Sequence, residues 1–476
     1  MREIHRKQFV EALDSPDWAR REFERATVGD RRLDQRLVSM ATDFANHPGA
    51  PVAQACDTKA KIKGAYELLE NDFLQPELIL EGHYRASLER LSHEPVILAP
   101  ADTTSFNFSH LVQTEGLGPI GDSDHPQQRG LWMHSTQAFT PEALPLGLVA
   151  VNFWARPPQG TDERDRHQKA FEEKESVRWR QSWQACQALR AQLPSETVLV
   201  NIADMEGDIY EVFAAALAQP APRAELLIRS RHDRKLQDQP QRFWDSLAGQ
   251  PLAGSHEVRV PRHDPEPARN ATLQIRFQAL RLEAPSRKAN EPALQLWAVE
   301  AREEAPPEGA EPILWRLLST LPVTNLQEAI QRVSWYAQRW SIEVFHKIVK
   351  SVCRAEAHQN ETTPRLLRRL MLDLLVAWRI QVLTQVGRQY PNLPASDYFT
   401  DSEWKALSSY MNPGSPPATQ APSLGQMTHW IGRMGGFVKC KSNPQPGIIT
   451  LGRGLARLND LAAMWAIQET LHAKTK

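Results

Sequence analysis

Cysteine is scarce in this chain: four residues in 476, Cys56, Cys186, Cys353 and Cys440, far apart and never in a paired spacing. A disulfide framework and a cysteine-built zinc module both need clustered thiols, so both are excluded. Long apolar runs are missing too. No stretch approaches the roughly 18 uninterrupted apolar residues of a membrane span, and Met1 to Val10 are polar and basic without the apolar region of a leader. A cytoplasmic protein is expected. No period of about 20 to 50 residues recurs, which rules out a repeat architecture. Surplus positive charge is absent as well, with 56 Lys and Arg against 57 Asp and Glu. A chain of that balance can bind phosphate only through local patches. What remains, 41% hydrophobic and 24% charged, is ordinary globular composition, enough for about two to four domains.

One stretch organises the rest. From Asn325 to about Ala357 the pattern reads as one helix, with Asn325 and Glu328 spaced as a capping box. Ile342, Phe345, Ile348 and Val349 make its apolar stripe. At roughly 100° per residue, Tyr336, Arg339, Glu343 and Lys350 fall within about 60° of one another. Their span is about 21 Å at 1.5 Å per residue, long enough to track several phosphates with Glu343 in the middle. A solvated helix face would show a similar mixture of charges.

Around that helix the chain alternates. Residues 1 to about 70 read as helical, and Arg31, Arg32 and Arg36 follow a Gly29-Asp30 break where they can share a helix face or merely a solvated surface. Val96 to Ala99 is a short apolar strand leading to Asp102, and Leu131 to Phe139 and Leu146 to Trp154 complete a meander. A charged helix from Glu172 to Leu193 leads to a buried-type strand, Thr197 to Ala203, that ends at Asp204. A helix from Asp208 to Leu217 and a strand from Ala224 to Ser230 follow, then a mostly β insertion over about 232–312 and a strand from Ile313 to Thr320. Thr363 reads as the cap of a long apolar helix running to about Gln389. Pro391 to Pro422 reads as a linker, before amphipathic helices at Leu424 to Met434 and Leu455 to His472.

Asp102 and Asp204 each stand at the carboxyl end of a buried-type strand, where open α/β sheets place ligands. Either alone could simply cap a loop. Joined by Glu343 they would repel one another unless a hard divalent cation with oxygen ligands were present. Two such ions about 3.5 to 4 Å apart suit phosphodiester chemistry. Arg229, Arg231, Arg234 and Lys235 form the strongest local basic cluster.

Tyr336-x2-Arg339-x3-Glu343-x6-Lys350 resembles the Y-R-E-K motif of the insertion-sequence-four family of bacterial DDE transposases. The resemblance extends through Gly29-Asp30 and the arginines after it, Gly64-Ala65-Tyr66, Asp102-Thr103-Thr104-Ser105, Trp132-x-His134-Ser135, Asp162 to Ser176, Arg229-Ser230-x-His232-x-Arg234-Lys235, Trp315 with Leu317-Leu318, and Arg433-Met434-Gly435-Gly436-Phe437. It implies an α/β, RNase H-like catalytic core over 71–390, a mixed sheet flanked by helices with a β-rich insertion. It also implies a helical DNA end-binding domain over 1–70 and a linker with a helical dimerisation domain over 391–476.

By the same resemblance, Asp102, Asp204 and Glu343 are a catalytic, metal-binding triad for two Mg²⁺ ions, with Mn²⁺ able to substitute. Tyr336, Arg339, Lys350, Arg229 and Arg36 contact DNA, and Trp315 serves hairpin formation by receiving a flipped base. Trp340 is a candidate second stacking face, since an unstacked base needs an aromatic surface. The implied function is cut-and-paste transposition through a hairpin intermediate, with transposon-end DNA, target DNA and a second copy of the chain as partners, no membrane, and a location on the nucleoid when DNA is bound. The alternative is a catalytically silent, domesticated or inhibitory DNA-binding protein. The chain departs from the family at Met205, where an arginine is common, and at Asn46, His47 and Glu67, where a relative carries basic or aromatic DNA-contacting residues.

Overall fold

The computed structural model describes residues 17–23, 31–121, 124–157, 169–237, 239–260, 268–440 and 444–475. The polar first ten residues, the Gly29-Asp30 break and Asp162 to Gln168 of the family-like segment lie outside them. The centre is a ten-stranded mixed sheet. Its first strands are β1 (Val96–Asn107), the two-residue β2 (Gly118–Pro119), β3 (Arg129–Phe139) and β4 (Pro145–Trp154), which form an antiparallel meander with β2 at its edge. Strands β5 (Val198–Ala203) and β6 (Glu225–Arg229) then add parallel to β1. Strands β7 (Gly254–Val260), β8 (Arg269–Leu282), β9 (Leu294–Glu303) and β10 (Leu314–Ser319) continue the same sheet antiparallel, joined to β6 through β10. A meander followed by parallel strands is the RNase H-like order, and the β-rich insertion extends that sheet rather than folding apart.

The central strands read as continuous apolar runs because both their faces are covered. In β5, Leu199 and Ala203 face one core while Val200 and Ile202 face the other. Helices α1 (Trp18–Phe23), α2 (Arg31–Asn46), α3 (Val52–Ala55) and α4 (Lys59–Leu69) build the amino-terminal part, and α5 (Glu81–Leu91) packs it onto β4. Helices α6 (Val177–Arg190), α7 (Tyr210–Leu217) and α8 (Phe243–Ala248) cover the middle of the sheet. Helix α9 (Leu326–Ala337) lies on the insertion strands, burying Val333, Trp335 and Tyr336, and α10 (Trp340–Ser351) lies against β1.

Helix α11 (Thr363–Gln389) joins the amino-terminal helices, β4, α10 and the carboxy-terminal helices. Arg368 donates from Nε to Leu74 O and from Nη1 to Leu69 O, both at 2.7 Å. Gln381 bridges Gln137 at 2.7 Å and Ser341 O at 2.9 Å, and Arg388 donates to Pro446 O at 2.8 Å. Its apolar window meets the length and hydropathy of a membrane span, yet 89% of that window is buried inside the protein. Helices α12 (Asp401–Met411), α13 (Leu424–Met434) and α14 (Ile448–Thr475) pack on one another beyond it.

A buried polar network ties the amino-terminal part to the sheet. Arg90 donates to Glu22 Oε1 at 2.7 Å and to Leu146 O at 2.6 Å, while His83 donates to Glu22 from Nδ1 at 2.5 Å and accepts Leu148 N–H on Nε2 at 2.9 Å.

Three expectations are corrected. The single helix from Asn325 is two, because the amides of Gln338, Arg339, Ser341 and Ile342 bond three residues back rather than four, which tightens one turn between α9 and α10. Asp102 is not at a strand end: β1 runs on to Asn107 against β3, and only its parallel pairing with β5 stops at Pro100. The expected linker holds α12, capped by Thr400 and Glu403, with Tyr398, Phe399 and Trp404 buried. Smaller shifts follow the hydrogen bonds. Thr362, not Thr363, caps α11, and the charged helix starts at Val177 after a short 3₁₀ turn over Phe171–Glu173.

Candidate functional site

Asp102, Asp204 and Glu343 come from three elements and stand close enough for the charges of the latter two to act on Asp102. Asp102 lies in β1 two residues beyond the end of the parallel pairing with β5, opposite Ser135 of β3, and its Oδ1 accepts Thr103 N–H at 2.8 Å. Asp204 follows β5 directly, and its Oδ1 accepts Glu206 N–H at 2.8 Å, so it also caps the turn over Met205–Gly207. Glu343 stands in the first turn of α10, where a carboxylate is favoured by the helix dipole.

The three carboxylates feel one another. Burial pushes the Asp102 pKa up to about 7 and the charges of Asp204 and Glu343 add to that, against the pull of Arg339 and the Thr103 amide. Arg339 is the cation among them. Its Nη2 donates to Glu343 Oε1, and its Nη1 lies 3.8 Å from Asp102 Oδ2. Burial alone would ease the proton off Arg339, but Tyr336, Glu343 and Asp102 outweigh it and hold the proton more firmly.

Tyr336 is 4% exposed in α9, and burial raises its phenol pKa while Arg339 and Arg229 oppose the rise. Trp315 in β10 meets the Tyr336 ring edge-on, with centroids 5.1 Å apart. Arg229 donates to Leu314 O at 3.1 Å on the neighbouring strand. Trp340, directly after Arg339, is 40% exposed and not a core residue. Lys350 lies two turns beyond Glu343 with Nζ 5.5 Å from the Phe106 ring centroid of β1, and burial lowers its pKa against the pull of Glu356. Arg36 is elsewhere, on α2, paired with Glu67 at 3.0 Å. Thus the triad, Arg339, Tyr336, Trp315 and Arg229 form one cluster, with Lys350 and Trp340 on the adjoining helix and Arg36 on the amino-terminal part.

Sequence reasoning gave no role to the groups behind the cluster. His134 accepts or donates at Nδ1 to Thr103 Oγ1 at 2.8 Å, and His346 meets Ser135 Oγ at 2.8 Å. Burial drops both imidazoles to a pKa of about 3, so both are neutral and fix the residues on either side of Asp102 without adding charge. Asp208 accepts Arg231 N–H at 2.7 Å, His232 N–H at 3.0 Å and the Arg234 guanidinium, shaping the basic loop that follows β6. The available signal was the period-two placement of His134 on a buried strand face and the Asp204-x3-Asp208 spacing.

A set of carboxylate oxygens short of positive charge suits a hard divalent cation. As the side chains stand, no three His, Cys, Asp or Glu among the described residues surround one ion-sized point. Arg339 supplies the positive charge there, in contact with Asp102 and Glu343, and the all-oxygen donor set is of the kind that a hard divalent cation takes. Beside them stand the aromatic rings of Trp315 and Tyr336 and the guanidinium of Arg229, groups of the kinds that can stack flat rings and hold anions.

Two comparisons bear on the ends of the chain. The family model described as transposase DNA-binding matches residues 15–74, and that described as transposase Tn5 dimerisation domain matches residues 375–466.

Proposed function

We propose, on the premise that the chain is a DNA-binding transposase of the Tn5-like, insertion-sequence-four kind, that it excises and joins DNA at Asp102, Asp204 and Glu343. Those three would hold two Mg²⁺ ions, Mn²⁺ substituting. Bound there, the ions would activate the attacking oxygen and stabilise the leaving one. The protein's own part is to place the scissile phosphate and to exclude alternatives. Arg339 is poised to exchange its carboxylates for a phosphate, a partner that a guanidinium holds bidentately. That exchange frees Asp102 and Glu343 when DNA arrives. Arg229 and Lys350 extend the cationic track, and Trp315, backed by Tyr336, offers a ring to a base leaving the stack.

The reaction order follows from one site serving several strands. Water attacks at the element's end and frees a 3′-hydroxyl, which attacks the opposite strand and closes a hairpin. A second water opens the hairpin, and the 3′-hydroxyl then joins target DNA. Two ends require two such sites, hence a dimer on paired ends, acting on DNA in the cytoplasm.

The observation that carries this reading is the meeting of Asp102 and Glu343 on the Arg339 guanidinium, with Asp204 near enough for its charge to act on Asp102. The test is incubation of the intact protein with the element's own ends and Mg²⁺ or Mn²⁺, following nicked, hairpin and joined products on gels. Glu343→Ala is expected to keep end binding while cleavage falls below detection. Cleavage that survives this change removes Glu343 from the site. Binding without any nicking by the unaltered protein would leave the silent, inhibitory alternative.

A further inference from the structure

One crevice, about 830 Å³ beside Arg234 and Lys235, has five carboxylates in its wall along with its cations. A second, of about 480 Å³, has none. One wall is the turn from Gly49 to Val52 together with Tyr66, and the other comes from residues 354–360 and Arg369. Arg354, Arg369 and His358 are its basic members.

Arg369 is 2% exposed. Its Nε lies 3.2 Å from Asp373 Oδ1, its Nη2 donates to Ala50 O at 3.4 Å, and its Nη1 has no hydrogen-bond partner. Asp373, the carboxylate beside it, is itself 1% exposed, and its second oxygen is taken by His358 Nε2. Leaving a buried guanidinium nitrogen unpaired costs on the order of 1 to 3 kcal/mol, so the arrangement has unused capacity for an anion. Arg354 is exposed and left-handed, at φ 50°, with its side-chain stem against Gly49. A Cβ on Gly49 would stand 2.6 Å from Val352 O and 2.9 Å from Arg354 Cγ, and its φ of 77° also favours glycine. The missing side chain is what lets the Arg354 stem pass.

We propose that this crevice binds a phosphate group, and that its source is the backbone of bound DNA. The DNA source follows from placement, because one wall belongs to the stretch matched as transposase DNA-binding, residues 15–74, and so rests on the DNA-binding part of the reading above. In that stretch His47 is engaged by Asn459 at 3.0 Å and Asp460 at 3.8 Å. Arg354 and Arg369 add cations to the crevice from the opposite wall.

The test uses the full chain with duplex DNA, read by fluorescence anisotropy over a salt series, and a parallel thermal melt with and without inorganic phosphate. Arg354→Asn suits the left-handed backbone, and Gln359→Glu puts an anion into the wall at an exposed position. Both are expected to melt like the parent and to bind duplex several-fold more weakly. For Arg354→Asn, the slope of log K against log salt should shrink by about 0.9, one phosphate contact. Unchanged affinity and slope in both variants, with no phosphate effect on melting, overturns the site and leaves the transposase reading intact. Stabilisation by inorganic phosphate that Arg354→Asn abolishes, at an unchanged DNA slope, overturns the DNA source in favour of free phosphate. If the parent binds no duplex yet shows that same stabilisation, the phosphate site stands and the transposase reading falls.

Discussion

Asp102 burdens the folded protein, because it is buried beside two further carboxylates. Its folded pKa of about 7 lies above the ordinary 3.8, so the folded state holds this proton more tightly than the unfolded one. Stability from this group is therefore present below the ordinary value and is lost as pH rises through about 7. Asp102→Asn is expected to raise stability on the order of 2 kcal/mol at pH 8 in urea unfolding without metal, while DNA cleavage disappears. A variant no more stable than its parent at that pH would remove the crowding argument. The carboxylates were legible in the sequence only as a set, since an acid at the end of a buried-type strand is by itself a common loop cap. Arg339 between Asp102 and Glu343 was not, because it depends on a helix break and a side-chain direction that spacing does not encode. His134 and His346 were visible as residues, but not as neutral props.

At the scale of elements, periodicity located most helices and strands, and it failed where hydrogen bonding rather than hydrophobicity sets a boundary. Neither proline nor glycine marks the break at Gln338 and Arg339, so the apolar pattern of α9 runs into α10 unbroken. The opposite error occurred over 391–422, where proline and serine obscured the spacing of Thr400 and Glu403 as a cap and the apolar weight of Tyr398 and Trp404. The α13 and α14 pair rests on another feature that hydropathy hides. A Cβ on Gly454 would stand 1.9 Å from Ile431 O, and one on Gly435 would stand 1.7 Å from Thr450 O, so the two backbones touch. Gly454→Ala is expected to force these helices apart at a cost of about 1 to 3 kcal/mol and to weaken self-association, measured by sedimentation. Unaltered sedimentation and melting would show that the pair can open without consequence.

For the whole molecule, the seam between the amino-terminal part and the sheet depends on Glu22. Burial alone would raise its pKa, but the Arg90 and His83 charges and hydrogen bonds overcome that and bring it down to about 2. Being depressed, the group contributes stability above its ordinary 4.5 and loses it as pH falls toward 2. Glu22→Gln leaves Arg90 buried without its carboxylate and is expected to cost about 3 to 5 kcal/mol, seen as a lower urea midpoint at pH 7. An unshifted midpoint would mean that solvent replaces the lost partner. None of this seam was read from the sequence, because Glu22 lies 61 and 68 residues from His83 and Arg90 and each looks like a surface residue alone.

Helix α11 has a mechanical consequence. It is 27 residues long, about 40 Å at 1.5 Å per residue, and Arg368 near its start clasps the carbonyls of Leu69 and Leu74. The dimerisation match begins at residue 375, still within the same rod. The rod therefore ties the segment matched as transposase DNA-binding, through the Leu69 and Leu74 carbonyls, to the segment matched as the Tn5 dimerisation domain. Each residue added to it would turn one end about 100° against the other, so the rotation between those two segments is written in the residue count of a single helix.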